Sequence, residues 1–282
     1  MTSSPLNTSF LAPCDYEEPD THIFVHALDV VLKGGTSILI CGNDADIVVI
    51  ATSRFPELRS HGLATLWVQY GKGKSLKYIP IHSLVEKISV DMALGLPFFH
   101  AFTSSDFTSG FRNYGKPTAW KTWLVMPEVT TMFKRLNNCP TDISAQDFEM
   151  LEKFVCVMYD RSTPVHRVKA ARRHLFTKRD CDYEHIPPTQ NVLELHGYRS
   201  VYVGGHMWGN ALCRMLKLPS PALWKWKFVE GVWKVIWMSI DPLSKECRLT
   251  NKCRCTKSCD GNCGCFKSKL KCTPLCTCPC FT

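Results

Sequence analysis

An α/β fold carrying a separate, metal-stabilised tail is the class predicted for this 282-residue chain. Three observations support it. The short apolar segment Ser37-Ile38-Leu39-Ile40 follows an amphipathic run and reads as a buried strand. Most of the chain after His82 has apolar residues at helical spacing. Ten of the sixteen cysteines fall between Cys247 and Cys280. The length allows one large domain or two ordinary ones. The patterns divide it into an α/β part over 1–110, a helical extension over 111–244 that ends in a β-hairpin, and a cysteine-rich module over 247–282.

In chain order, Glu17-Glu18-Pro19-Asp20 opens a helix in which Ile23, Ala27, Val30 and Val31 share one face, and Gly34-Gly35 ends it. The strand from Ser37 delivers Asn43-Asp44-Ala45-Asp46 at its carboxyl end, where open α/β sheets bind ligands. Leu63 to Tyr70 and Ser75 to Pro80, joined through Gly71-Lys72-Gly73-Lys74, predict a β-hairpin. Helices are expected over Ala119–Leu136, Ala145–Tyr159 and His166–Phe176. After the break at Pro187-Pro188, another is expected over Gln190–Cys213. Trp224-Lys225-Trp226-Lys227-Phe228 and Val232 to Trp237, turned at Glu230-Gly231, predict a final hairpin. Its aromatic and lysine alternation suits a nucleic-acid stacking platform, or more commonly a strand with its tryptophans packed inward.

No run of about 18 uncharged apolar residues occurs, and Met1 leads into Thr-Ser-Ser-Pro, so neither a membrane span nor a secretion signal is expected. The formal net charge of +9 favours anionic partners such as nucleic acid. In a reducing compartment, dense cysteines imply metal rather than disulfides. Cys14, Cys41, Cys139, Cys156, Cys181 and Cys213 lack ligand spacing and read as small buried hydrophobes; Cys247 reads as a spare thiol. His22 and His26, one turn apart, read as a helix face rather than a protease metal motif, since no glutamate lies between them. Lys169, Arg172 and Arg173 read as a solvated face, or else as a phosphate contact or part of a nuclear signal.

The module repeats itself: Cys253, Cys255 and Cys259 are echoed by Cys263, Cys265 and Cys272, and Cys276, Cys278 and Cys280 close the series. Between Cys253 and Cys280 only Phe266, Leu270 and Leu275 are bulky and apolar, so bound metal must supply the folding energy. About three tetrahedral zinc ions need twelve bonds, which nine thiolates supply when three of them bridge. A disulfide-linked or redox-active tail is the alternative. From Lys245 to Thr282, eight Lys and Arg face two acidic residues, and zinc thiolates leave this segment at about +3. That surplus holds phosphates in a salt-sensitive way or simply solubilises a coreless module.

This cysteine pattern resembles the tesmin-type CXC domain, a zinc-binding fold of nuclear DNA-binding proteins. Related proteins usually carry two such units, each with a tyrosine before the fourth cysteine that enters the DNA minor groove. Here there is one unit and Asn262 holds that place. The resemblance therefore implies zinc binding, a nuclear location, with a cytoplasmic one as the alternative, and weak, non-specific contact with nucleic acid.

Glu18, Asp20, Asp44, Asp46 and Asp106 are the candidate catalytic residues. Converging carboxylates hold Mg²⁺ or Mn²⁺ and a metal pair activates water on a phosphodiester; alternatively, such acids cap helices and complement their dipoles. Glu18-Pro19-Asp20, Asp44-Ala45-Asp46 and Ser105-Asp106 resemble the acidic motifs of PIN-like nucleases of the flap-endonuclease type. The resemblance implies a PIN-like parallel sheet flanked by helices. The family's first strand, which ends in aspartate, has no counterpart before Asp15, so a truncated domain is expected. Ser104 stands where the family has glycine. Longer stretches, Asp20 to His26, His100 to Thr103 and Ile186 to Gln190, resemble uncharacterised animal proteins that join a PIN-like body to a CXC tail. A mobile-element origin is one expectation for these. The leading expectation is a zinc-binding, nucleic-acid-associated protein with a degenerate nuclease-like body. A divalent-metal-dependent, structure-specific nuclease and a protein-interaction remnant are the alternatives.

Overall fold

The computed structural model describes residues 10–11, 19–178, 185–238, 252–256, 259, 263–267 and 270–280. Cys14, Glu18, Cys181, Cys247 and Asn262 lie outside the described residues. The elements run α1 (Pro19–Leu32), β1 (Ser37–Cys41), α2 (Ala45–Ser60), β2 (Thr65–Tyr70), β3 (Lys77–Pro80), α3 (Ile81–Ile88), α4 (Val90–Thr103), α5 (Lys116–Val125), α6 (Val129–Leu136), α7 (Ala145–Tyr159), α8 (Val168–Lys178) and α9 (Gln190–Val201). A hairpin of β4 (Trp226–Val229) and β5 (Val232–Val235) follows, and a single turn of helix, α10 (Gly264–Lys267), lies in the cysteine-rich module. Among the described residues no helix is long and apolar enough to cross a membrane. The chain forms two compact units, one from residues 1–109, 130–143 and 198–234, the other from 110–129, 144–197 and 235–282.

The first unit is built on a β-α-β crossover. Asp44 caps α2, its carboxylate accepting the Asp46 amide at 2.9 Å, and α2 returns the chain so that β2 lies parallel to β1 from Ser37 beside Thr65 to Cys41 beside Gln69. β3 then pairs antiparallel with β2, as the Gly71–Lys74 connection leads one to expect. The sheet, ordered β1-β2-β3, is therefore mixed, not parallel throughout. Ile40, Leu66 and Val68 pack against Phe24, Ile50, Phe55, Leu58 and Ile81 in one core cluster. Each such buried side chain is worth about 1.5–3 kcal/mol. β1 departs from the fully buried strand expected: Ile40 is buried, whereas Leu39 is 50% exposed, because an edge strand turns alternate residues away from the helices.

Two expected helices are interrupted. The Ala119–Leu136 run splits into α5 and α6 at Met126 (φ −126°, ψ 65°), since Pro127 lacks an amide and pushes the residue before it out of helical backbone. Gln190–Cys213 stays α-helical only to Val201; Tyr202–Met207 is π-helical and Trp208–Asn210 is 3-10. Close packing accounts for the change. A Cβ on Gly204 would lie 2.7 Å from the Phe98 backbone, and one on Gly205 2.6 Å from the Leu136 carbonyl, so the widened segment lies directly on α4 and the end of α6.

In the second unit, Ser144 caps α7 by accepting the Asp147 amide at 3.1 Å, and Leu151, Phe154, Val155 and Met158 are buried. Buried Glu152 is satisfied by Arg167 at 2.7 Å and by the Val168 amide at the start of α8. Of the scattered cysteines, Cys156 is the buried hydrophobe expected, its thiol pushed up to about 12 by burial and by Glu152. Cys41 and Cys213 are instead exposed, and Cys139 is half-buried. In each case the backbone position, not the residue's apolar character, sets the exposure.

Candidate metal centre

In the cysteine-rich module the usual core composition is inverted. Phe266 is 64% and Leu275 56% exposed, while Cys253, Cys263, Cys265, Cys276 and Cys278 are buried, with Cys255, Cys259 and Cys272 packed around them. The backbone arranges the sulfurs. Cys263 immediately precedes α10, its carbonyl accepting the Lys267 amide at 2.9 Å, and the Leu270 amide returns to the Cys265 carbonyl at 2.9 Å. Thr277 ties the last segment to the first through the carbonyls of Cys253 and Cys255, at 3.3 and 3.0 Å.

The sulfurs stand at metal-ligand separations. Cys253 lies 3.5 Å from Cys278 and 3.9 Å from Cys259; Cys259 lies 3.4 Å from Cys272 and 3.3 Å from Cys278; Cys265 lies 3.7 Å from Cys276. A tetrahedron with Zn–S bonds of about 2.3 Å has edges of about 3.8 Å. A disulfide needs about 2.05 Å, and the described cysteines are all free thiols. Four groups of mutually close sulfurs result: Cys253 with Cys272, Cys276 and Cys278; Cys253 with Cys263, Cys265 and Cys272; Cys253 with Cys255, Cys259 and Cys263; and Cys259 with Cys278 and Cys280. Together they include all nine expected cysteines. Cys253 belongs to three groups, as a bridging thiolate would.

Electrostatics favours a cation at this point. Burial pushes Cys265 and Cys272 up to about 12. At Cys278 the Cys280 amide, with help from Cys259 and Cys253, prevails over burial and brings the thiol down to about 6. Cys276 Sγ accepts the backbone amides of Cys253 and Thr273, both at 3.3 Å, and Cys280 Sγ accepts that of Cys259 at 3.2 Å. Thiols this close share their protons rather than ionising together, and a divalent ion replaces those protons. The donor set fits a thiophilic, tetrahedral metal such as zinc. Lys252, Arg254, Lys267 and Lys271 are exposed around the buried sulfurs.

The acidic residues form a looser arrangement. Glu18 lies outside the described residues. Asp20 sits in the first turn of α1, Asp44 caps α2, Asp46 occupies the first turn of α2, and Asp106 is exposed in a turn closed by reciprocal backbone bonds between Ser105 and Thr108. Asp20 comes into electrostatic range of three other candidates: its carboxyl is raised above its ordinary value by burial, then by Asp44, Asp46 and Asp106. Two of them also have structural partners. Asp44 accepts the Asp46 amide, and Asp46 Oδ1 pairs with His100 Nε2 of α4 at 2.9 Å. His100, itself beside Trp208, gave no signal in sequence spacing, since 54 residues separate it from Asp46. Among the described residues, every group of three or more ligands whose atoms lie within 4.8 Å of one another is made of cysteine. His22 and His26 lie together on one side of α1, with ring centroids 4.8 Å apart and the rings inclined at 50°. Comparison with protein-family models, with curated proteins and with solved structures gives no match to this chain.

Proposed function

We propose that the chain is a zinc-binding protein that associates with nucleic acid through its cysteine-rich module, and that its α/β body is a degenerate relative of PIN-like nucleases. One observation carries the zinc reading: nine cysteine sulfurs fall into groups whose members lie within 4.8 Å of one another, in a segment whose Phe266 and Leu275 face solvent. About three zinc ions, bridged by three of the thiolates, fill such a set. Exposed Lys252, Arg254, Lys267 and Lys271 supply phosphate contacts, and with Asn262 in place of a groove-entering side chain those contacts are weak and indifferent to sequence. A nuclear location accords with that partner.

A second reading, a divalent-metal-dependent nuclease, draws on the influence of Asp44, Asp46 and Asp106 on Asp20. Mg²⁺ or Mn²⁺ would relieve their repulsion. The occupation of Asp44 by a cap and of Asp46 by His100 favours weak metal binding without efficient turnover.

Native mass spectrometry of the reduced chain, before and after chelation, tests the leading reading: about three zinc ions are expected, and one or none would overturn the nine-thiolate cluster. Four phosphate contacts give a salt slope of about −3.6 on duplex DNA, so affinity is expected to fall about a hundredfold between roughly 50 and 200 mM salt. Tight, salt-insensitive binding to one sequence would contradict the phosphate-contact reading.

A further inference from the structure

The β4–β5 hairpin turns through Glu230 (φ 53°) and Gly231 (φ 79°), two successive left-handed residues that make a two-residue hairpin connection. That turn sets Phe228 opposite Trp233 and Lys227 opposite Lys234. The Phe228 and Trp233 rings are 5.1 Å apart and inclined at 59°. Further along that face, Trp226 packs 5.1 Å from Tyr202, and Tyr202 in turn lies against buried Trp224. The aromatic row is thus anchored at its base and open at its tip, where Phe228 is 61% and Trp233 42% exposed. The usual inward-packed arrangement holds for Trp224 and fails for this pair.

The other face of the ribbon is basic. Lys227 and Lys234 oppose one another across the strands, an arrangement that costs stability, and Glu230 offsets it only from the turn, 3.3 Å from Lys234. Exposed rings and facing lysines are both unfavourable for the chain alone, and one ligand relieves both. It must offer flat apolar surfaces and a polyanionic backbone.

The geometry points to single-stranded nucleic acid as the occupant of this hairpin, its bases stacking on Phe228 and Trp233 and its backbone running along the ribbon edge, where the long side chains of Lys227 and Lys234 reach round from the other face to its phosphates. Every unpaired base has a face to stack, whereas a duplex keeps its bases engaged with one another. An apolar protein segment would cover the rings but leave the lysines opposed, so charge complementarity selects the nucleic acid. This assignment does not rest on the zinc reading.

The test uses the full, zinc-loaded chain and a labelled oligothymidine of about 12 nucleotides, within the range of single-strand site sizes, compared by fluorescence anisotropy with a duplex of equal length. The single strand is expected to bind more tightly. Trp233→Ala and Phe228→Ala should each weaken it about tenfold, while Trp233→Tyr, which keeps a stacking ring, stays within about threefold. Lys227→Ala combined with Lys234→Ala should flatten the logarithmic salt slope by about 1.4. Zinc content, measured on every variant, should not change, which separates this site from the module. Photocrosslinking of an iodouracil-substituted strand to the unmodified chain should label Phe228 or Trp233 whatever the stability of the variants. Crosslinks confined to other segments would overturn the proposal, as would a double variant at Phe228 and Trp233 that binds the strand like the parent. A change of sedimentation from dimer to monomer in that variant, with strand affinity intact, would assign the face to a second copy of the chain and equally overturn it.

Discussion

Replacing Cys253 by alanine removes the sulfur shared by three of the four close groups, whereas replacing Cys280 removes an exposed sulfur that belongs to one. A structural zinc site is worth about 10–16 kcal/mol, or roughly 2.5–4 kcal/mol for each of four ligands. If Cys253 bridges two ions, its loss costs about 5–8 kcal/mol, four to six orders of magnitude in zinc affinity. Losing a terminal ligand at Cys280 costs about half that, two to three orders. Competition of the full chain against a chromophoric chelator, with ions counted by native mass spectrometry, measures both. Cys253→Ala should surrender more than one ion and lose the ordered module; Cys280→Ala should surrender at most one. Cys156→Ala, outside the cluster, should leave the zinc count unchanged. Equal losses from Cys253→Ala and Cys280→Ala, or full zinc retention by the former, would refute the shared-thiolate reasoning.

Three further outcomes are expected from the body. With Mn²⁺ and flap, hairpin or single-stranded substrates, cleavage should be slow or absent; robust cleavage abolished by Asp44→Asn or Asp46→Asn would promote the nuclease reading. Ser104 ends α4 at φ 138°, ψ 130°, backbone that glycine adopts freely and other residues do not, so Ser104→Gly should raise stability by about 1 kcal/mol in chemical denaturation, net of glycine's extra unfolded-state entropy. Asp20 has a raised folded-state pKa, so its proton stabilises the fold at low pH and that contribution is lost as pH rises through the folded value. Asp20→Asn should therefore raise the melting temperature at neutral pH, and the gain should shrink on acidification; a gain independent of pH would point to a cause other than carboxylate repulsion.

Where the determinants were local, the sequence pattern and the fold agree closely. α7 spans Ala145–Tyr159 as periodicity indicated, because Ser144 provides its own cap, and the β2–β3 hairpin follows from the glycines between its strands. The break at Pro127 was also written locally, in the restriction a proline places on the residue before it, and the run of apolar residues on either side masked it. The π-helical turn at Tyr202–Met207 was not legible, because Gly204 and Gly205 acquire their meaning only from the Phe98 and Leu136 backbones against which they lie. The same holds for His100, which reaches Asp46 through the packing of α4 on α2.

The cysteine spacing by itself pointed to a tail whose thiols could hold a metal, since so few apolar residues lie between them to supply cohesion. It also determined the α/β succession of the first hundred residues, through the change from period-two to helical patterning. Tertiary structure decided which sulfurs lie close together, that the sheet is mixed, that Asp44 and Asp46 have structural partners, and that Phe228 and Trp233 face solvent. The division has one physical cause. Ligand type and hydrophobic period are properties of neighbours along the chain, whereas bridging, burial and hydrogen-bond partnership depend on which distant segments the fold brings within a few ångströms.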